Sequence, residues 1–172
     1  MLTFSVMSLG VLVSCSKSST KTTPAASSAD TVMYSAWIPL ALVLQSPASD
    51  SFYEQAITAA ALTQAILDKG MVNVYVHETG TGTSYVNSAS DEGIYPTYAV
   101  GQIFLDAYGS NGAVLATNTY FDEVRYVIIP GTVSVTNANG SIQTYTPAQL
   151  KELDYATLTK LLGIPAKGST LK

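Results

Sequence analysis

Two segments in the middle of the chain restrict it to a β-sheet architecture. In MVNVYVHE (71–78), valines alternate with polar or amphipathic residues. Val72, Val74 and Val76 would face one side of a strand, and Asn73, Tyr75 and His77 would face the other. This pattern predicts a half-buried strand. In YFDEVRYVIIPG (120–131), the run from Tyr126 to Ile129 is apolar without interruption. Because such a run indicates burial on both faces, we predict that it forms the central strand of a sheet.

Four further segments are predicted to be strands. TVMYSAWIPLALVL (31–44) contains Pro39 and GIYPTYAV (93–100) contains Pro96, and proline cannot donate a hydrogen bond to a ladder. We therefore expect both to be edge strands or to be broken at the proline. FYEQAITA (52–59) and GQIFLDAYG (101–109) complete the set.

Two regions instead show helical signals. LTQAILDKG (62–70) has helical spacing and ends at a glycine, which predicts one short helix. Near the C-terminus, Thr146, Pro147 and Gln149 form the signature of a capping box. Leucines follow this signature, Asp154 is placed to start a second helix, and Gly163 and Pro165 are stop signals.

These elements predict a mainly β fold: a single β-sandwich-like domain over residues 32–165, with six to eight strands, one short internal helix and a C-terminal helix of one or two parts. Its core should contain Val72, Val74, Val76, Ile103, Leu105, Val127 and Ile129, with Trp37 and the C-terminal leucines buried as well.

The N-terminus predicts export and a lipid anchor. The apolar run from Leu2 to Val13 has the length of a signal-peptide core and is too short to span a bilayer. Ser14 and then Cys15, the only cysteine of the chain, follow this run, and the residues Leu12-Val13-Ser14-Cys15 resemble the lipobox of bacterial lipoproteins. That resemblance implies cleavage before Cys15 and its modification with fatty acyl chains such as palmitate. The alternative is a cleaved secretory signal with an incidental cysteine.

The predicted organisation therefore has four parts. Residues 1–14 form a signal peptide, and residues 15–31 form a lipidated cysteine with a disordered tether. Nine of the sixteen tether residues from Ser16 to Thr31 are serine or threonine, so this stretch cannot bury apolar surface. The β-rich domain at 32–165 and a flexible tail at 166–172 follow.

The domain also resembles a known family. VMYSAW (32–37), ALTQAILDKGMVNVYV (61–76), EGIYPTYA (92–99), RYVIIPG (125–131) and DYATLTKLLGIP (154–165) occur in this order. Together they look like a family of uncharacterised lipoproteins from Bacteroidetes-type bacteria. The resemblance implies a lipid-anchored, β-rich module of the bacterial cell envelope at the outer membrane. It does not distinguish the periplasmic face of that membrane from the surface face. The family has no known active site, so the resemblance assigns no catalytic residue.

Composition argues against several kinds of ligand. Eight basic and twelve acidic residues give a net charge of −4, and the domain has no basic cluster, which disfavours nucleic acid. Structural zinc needs several histidine or cysteine ligands, and His77 is the only histidine. ETGTGTS (78–84) lacks the lysine and the helix signal of a phosphate loop. We predict no metal site, no cofactor and no catalytic residue.

Two pairs of neighbouring carboxylates bear on an enzymatic alternative. Asp91-Glu92 and Asp122-Glu123 supply the residue type that glycosidases use, but neighbours on a strand point to opposite faces. Neither pair is therefore predicted to form a catalytic dyad, and neither shows the alternating acids of a calcium loop. Glu123 and Arg125 share one face of the predicted strand and are expected to pair.

The aromatic residues are the remaining candidates for ligand contact. We select Trp37, Tyr75, His77, Tyr95 and Tyr98, although an ordinary role in the core or on a strand surface is the better explanation for Trp37 and His77 and also accounts for the tyrosines. The sequence favours a noncatalytic binding or structural role in the envelope, with a glycan or an envelope protein as partner besides the lipid bilayer. The alternative is a hydrolase that acts on envelope or extracellular glycans.

Overall fold

The computed structural model describes residues 32–46, 52–78, 80, 83–84, 92–109, 112–113, 116 and 121–166. These residues form a mainly β domain with a few short helices, as predicted. The strands are β1 (Met33–Tyr34), β2 (Ile38–Pro39), β3 (Val43–Ser46), β4 (Phe52–Thr58), β5 (Met71–Glu78), β6 (Thr83–Ser84), β7 (Tyr95–Ala99), β8 (Gln102–Tyr108), β9 (Glu123–Ile129), β10 (Val133–Thr136) and β11 (Ile142–Tyr145). The helices are α1 (Gln64–Lys69), α2 (Pro147–Lys151) and α3 (Tyr155–Leu162).

The first sheet is built around β9. On one side β9 pairs with β1 and β2, and on the other with β5, which in turn pairs with β6. All of these pairings are antiparallel. The prediction that the apolar run forms a central strand is confirmed, since Val124 to Ile129 are all buried.

The second sheet has the strand order β3-β4-β8-β7, also antiparallel, and β10 and β11 form a separate hairpin. The N-terminal segment supplies β1 and β2 to the first sheet and β3 to the second, and Pro39 lies in the short edge strand β2. Pro96 lies in β7 at the edge of the second sheet. Both proline-based predictions are confirmed. Among the described residues there are eleven strands rather than six to eight, because the N-terminal segment divides into three and because β6, β10 and β11 lie outside the segments predicted as strands.

The two sheets pack face to face around one hydrophobic core. The first sheet contributes Val74, Val76 and alternate residues of β9, and the second contributes Ile57, Ile103 and Leu105. Alternate side chains of a strand point to opposite faces, so the odd-numbered residues of β5 and β9 point away from this core. They form a second core with α2, α3 and the β10–β11 hairpin, which includes Tyr75, Val127, Ile129, Leu150 and Leu158.

This second core corrects the prediction for β5. Asn73 and Tyr75 were expected on an exposed face, but they are 5% and 0% exposed. The two faces of β5 are both buried, one in each core, so its alternation does not separate a core face from a solvent face. The C-terminal helices cover the face that was predicted to be exposed. Of the predicted core residues, Val72, Trp37, Leu153, Leu161 and Leu162 are only partly buried, and the others are buried.

The helices begin and end at the predicted signals. Thr146 and Gln149 form the capping box of α2, and the Asp154 carboxylate accepts from the backbone N–H of Thr157 at 2.7 Å to start α3. Gly163 ends α3 in a left-handed conformation with φ of 67°. Gly70, at the end of α1, has an extended conformation instead. A glycine is needed there because its backbone packs closely against β9: a Cβ would lie 2.5 Å from the carbonyl oxygen of Ile129.

Candidate functional site

The structure separates the candidate residues into two groups on different sheets. Trp37, Tyr75 and His77 lie on the helix-covered face of the first sheet, in contact with one another or with shared neighbours. Tyr95 and Tyr98 lie on β7, at the edge of the second sheet. The five residues therefore do not form one site.

The first group surrounds Arg125, the only arginine of the chain, whose side chain is fully buried. Its Nε donates to the carbonyl of Ser35 at 2.8 Å, and its Nη1 donates to the Tyr155 hydroxyl at 2.9 Å and the Pro165 carbonyl at 2.8 Å. The guanidinium carbon lies 5.0 Å from the ring centroid of Tyr34 and 5.8 Å from that of Trp37. Cation–π contacts of this kind stabilise a desolvated cation.

The expected pairing of Glu123 with Arg125 is wrong. Within the described part of the chain no carboxylate lies within ion-pair distance of Arg125, and Glu123 instead contacts His77. Both glutamate and arginine do lie on the same face of β9, as predicted. However, Arg125 turns toward the C-terminal segment, where it and Trp37 bind consecutive carbonyls: Trp37 Nε1 donates to Ala166 at 3.0 Å.

Tyr75 is excluded as a ligand contact because it is completely buried. Its hydroxyl accepts from Asn73 Nδ2 at 2.9 Å, and its ring meets that of Tyr155 edge to face, with centroids 4.8 Å apart. Burial raises the pKa of Tyr75 to about 12, although the hydrogen bond from Asn73 acts in the opposite direction. Tyr75, Tyr155 and Arg125 thus stabilise the packing of α3 on the first sheet.

His77 lies at the end of the same face, where the structure brings together three side chains that can bind a metal. Its Nδ1 is 3.3 Å from Oε2 of Glu123, its cross-strand partner, and one atom each of His77, Asp122 and Glu123 lie within 4.8 Å of one another. The prediction that Asp122 and Glu123 diverge is wrong because β9 begins at Glu123, so the alternation of a strand does not apply to Asp122. The ring of Trp37 lies 5.0 Å from that of His77.

Of the second group, Tyr95 lies on the outer face of the second sheet. In β8, Ile103, Leu105 and Ala107 point into the core, so Asp106 and Tyr108 point outward. The register places Val43, Glu54, Asp106 and Tyr95 in one row across all four strands, with the pair Phe52 and Tyr108 beside it. We call Phe52, Glu54, Tyr95, Asp106 and Tyr108 the acidic-aromatic face.

The aromatic side chains of this face are close together and accessible. The ring centroid of Tyr108 lies 5.4 Å from that of Phe52 and 6.0 Å from that of Tyr95. Tyr95 is 47% exposed and Tyr108 is 53% exposed. Three neighbouring aromatic rings on an open sheet face form a surface that an apolar face of a ligand can cover.

Asp106 lies between these rings and is only 6% exposed. The Thr97 hydroxyl donates to its Oδ2 at 3.3 Å, whereas its buried Oδ1 has no hydrogen-bond partner among the described residues. Burial raises the pKa of the Asp106 carboxyl above its ordinary value of 3.8, and the hydrogen bond from Thr97 opposes that shift. A buried acceptor without a donor is costly and rare, so it calls for a functional or structural explanation.

Tyr98 does not belong to the acidic-aromatic face. It alternates with Tyr95 and Thr97 along β7, and its hydroxyl donates to the carbonyl of Val72 on the first sheet at 3.3 Å. Its ring lines a shallow groove beside α1 and α2. Tyr98 therefore connects the two sheets, and of the predicted contacts only Tyr95 lies on an open aromatic surface.

Sequence reasoning missed Glu54, Asp106 and Tyr108. The only signal for them was the alternation of β4 and β8, which puts each of these residues on the polar side of its strand. The pairing register of β4, β8 and β7 brings them together, and no single segment contains that information. Of the other predicted positions, Glu92 is partly buried in a turn, while Asp91 and Cys15 lie outside the described residues.

No family model, curated protein or solved structure matches the chain. The resemblance to Bacteroidetes-type lipoproteins therefore stays a prediction. None of the helices in the described part of the chain is long and apolar enough to cross a membrane.

Proposed function

We propose that this protein is a noncatalytic, lipid-anchored protein of the bacterial cell envelope that binds a neutral glycan on the acidic-aromatic face. Three features of the sequence support the anchor: a short apolar run, a lone cysteine at its end and a Ser/Thr-rich stretch behind it. We place the protein at the outer membrane, as the family resemblance implies. The tether would then leave the domain free to reach a polymer near the membrane.

The observation that carries the binding proposal is the Asp106 carboxylate, which has an unpartnered oxygen and lies among aromatic rings, two of them about half exposed. Because that oxygen is itself buried, a ligand hydroxyl would reach it only after the Asp106 side chain turns toward the surface. A sugar offers both kinds of group that this surface needs. Its hydroxyls donate to carboxylate oxygens in charge-assisted hydrogen bonds, and its C–H faces pack on aromatic rings. Glu54 lies directly opposite Asp106 on β4 and provides a second acceptor in the same row.

Charge selects the class of glycan. Asp106 and Glu54 are both acidic, and the chain as a whole has a net charge of −4. Sulfated sugars and uronic acids would be repelled by these like charges. Polymers of neutral hexoses and of N-acetylated amino sugars are not repelled in this way.

The proposal is tested by measuring binding of the purified protein to neutral and acidic glycans immobilised on one surface. We expect retention by neutral glycans only, and a loss of at least tenfold in affinity for Tyr108→Ala and for Asp106→Asn. Ile142→Ala is the matched control, because Ile142 is a 71% exposed apolar residue on a different sheet. Binding that is equal in all three variants, or confined to acidic glycans, would contradict the proposal.

The same incubation tests the hydrolase alternative. Soluble sugar released from the polymer is monitored alongside retention, and any release should be compared between the parent and Glu123→Gln. Release that requires Glu123 would overturn the noncatalytic assignment. Retention without release supports it.

A further inference from the structure

We infer that His77, Asp122 and Glu123 form a binding site for a divalent transition-metal ion, with zinc as the best fit. The site lies on the helix-covered face of the first sheet, whereas the proposed glycan surface is the outer face of the second. The two proposals are therefore independent. Failure of one leaves the other unchanged.

The first argument is convergence from two segments of the chain. His77 lies near the end of β5, and its cross-strand partner Glu123 is the first residue of β9. Asp122 precedes β9, and its backbone N–H donates to the carbonyl of His77 at 3.1 Å. That hydrogen bond fixes the backbone of Asp122 against the backbone of the histidine, so all three ligands start from positions held by the sheet.

The second argument is the separation of the ligand atoms. Zinc binds histidine nitrogen and carboxylate oxygen at about 2.0–2.2 Å, so two ligands of a tetrahedral ion lie about 3.4 Å apart. Nδ1 of His77 and Oε2 of Glu123 are already 3.3 Å apart. The full set lies within 4.8 Å, so the exposed carboxylate of Asp122 would have to approach the other two by about an ångström to complete the site.

The third argument is the chemistry of the donors. One imidazole nitrogen with two carboxylate oxygens suits zinc and its neighbours in the first transition row better than calcium or magnesium, which prefer oxygen alone. Two carboxylates balance the charge of a divalent ion. Three protein ligands leave one position of a tetrahedral ion for water or another small donor.

Trp37 provides a direct readout. It is the only tryptophan of the chain, and its ring centroid lies 5.0 Å from that of His77. A paramagnetic ion bound to His77 would therefore be close enough to quench the tryptophan fluorescence of the whole protein. Zinc does not quench in this way, and it should displace the paramagnetic ion and restore the emission.

The experiment is a titration of the full chain, first treated with chelator, with Co²⁺, followed by competition with Zn²⁺. We expect saturable quenching that zinc reverses, and a rise in melting temperature with zinc, because an ion that binds only the folded state stabilises it. His77→Gln and Glu123→Gln should weaken apparent affinity at least tenfold and remove the thermal shift. Asp122→Asn should weaken affinity by a smaller factor, since its carboxylate is the most exposed.

Glu152→Gln is the control, because Glu152 is an exposed carboxylate at the end of α2. Circular dichroism establishes that each variant is folded, and the thermal shift gives a readout that does not depend on the Trp37 environment. Absence of saturable binding in the parent would overturn the inference. Binding that persists in both His77→Gln and Glu123→Gln would also overturn it, since the ion would then be held elsewhere.

Discussion

Arg125 and Tyr155 are joined by a hydrogen bond of 2.9 Å between the guanidinium Nη1 and the phenol hydroxyl, both buried beneath the C-terminal segment. The same Nη1 also donates to the carbonyl of Pro165, which follows α3. One side chain of the central strand thus attaches both the beginning of α3, at Tyr155, and the segment after its end to the first sheet. Its neighbour Trp37 adds a bond to Ala166.

We expect Arg125→Lys to destabilise the domain by about 2–4 kcal/mol, although it keeps the positive charge. An ammonium group cannot reach the carbonyls of Ser35 and Pro165 and the Tyr155 hydroxyl at once, and hydrogen bonds to charged groups contribute about 1.5–3 kcal/mol each. Denaturant unfolding measures the change. Lys160→Arg, an exposed change of the same kind on α3, should leave stability within about 0.5 kcal/mol of the parent. Equal stability of Arg125→Lys and the parent would show that these bonds do not hold the C-terminal segment.

A second prediction concerns the central strand. Ile129→Asp should cost at least about 4 kcal/mol and unfold the domain at room temperature, because it places an unpaired carboxylate in the second core, where Ile129 is 0% exposed. Ile142→Asp makes the same chemical change at an exposed position of β11 and should be nearly neutral. Thermal melts followed by circular dichroism compare the two. Similar melting temperatures would mean that β9 does not have the buried position assigned to it.

The fold could be predicted from sequence where the signal is local. The unbroken run before Ile129, the prolines at 39 and 96 and the capping box at Thr146 each determine the structure of their own segment, and each is confirmed. Tyr75 shows the limit of this reasoning. Alternation separates the two faces of a strand, but only tertiary packing determines what covers each face, and here α3 covers the face that was expected to meet solvent.

The candidate sites were less predictable for the same reason. Asp106 and Glu54 are far apart in sequence and meet only through the register of β4 and β8. His77 and Glu123 meet through the register of β5 and β9. Since a shift of one residue would turn each of these side chains to the other face of its sheet, residue types alone could not identify either site.

The proposed lipid anchor gives a prediction that is independent of the folded domain. Mass spectrometry of the protein isolated from membranes should find a mature N-terminus at Cys15 carrying acyl chains, and Cys15→Ser should release the protein from the membrane fraction. Ser16→Ala is the control, because it changes the next residue without removing the thiol. A mature protein with an unmodified N-terminus beyond Cys15 would support the alternative of a cleaved secretory signal.

The last prediction distinguishes the effect of Asp106 on folding stability from its proposed role in glycan binding. The pKa of Asp106 is raised above 3.8 in the folded protein, mainly by burial, so the folded state holds this proton more tightly than the unfolded chain does. The stability that the protonated Asp106 carboxyl contributes is therefore lost as the pH rises from about 3.8 through the raised pKa of the folded state. Asp106→Asn removes that loss, since an amide does not ionise.

We therefore expect Asp106→Asn to be more stable than the parent at neutral pH, and the difference to disappear as the pH falls below about 3.8. Denaturant unfolding at a series of pH values measures it, with Glu152→Gln, at an exposed carboxylate, as the control. The same Asp106→Asn protein should have lost glycan binding. A gain in stability together with a loss of binding would indicate that the unpartnered carboxylate is kept for its ligand, because function is a common reason for retaining a destabilising group. A variant that is less stable than the parent at neutral pH would show instead that Asp106 stabilises the second sheet, and the binding proposal would lose its main support.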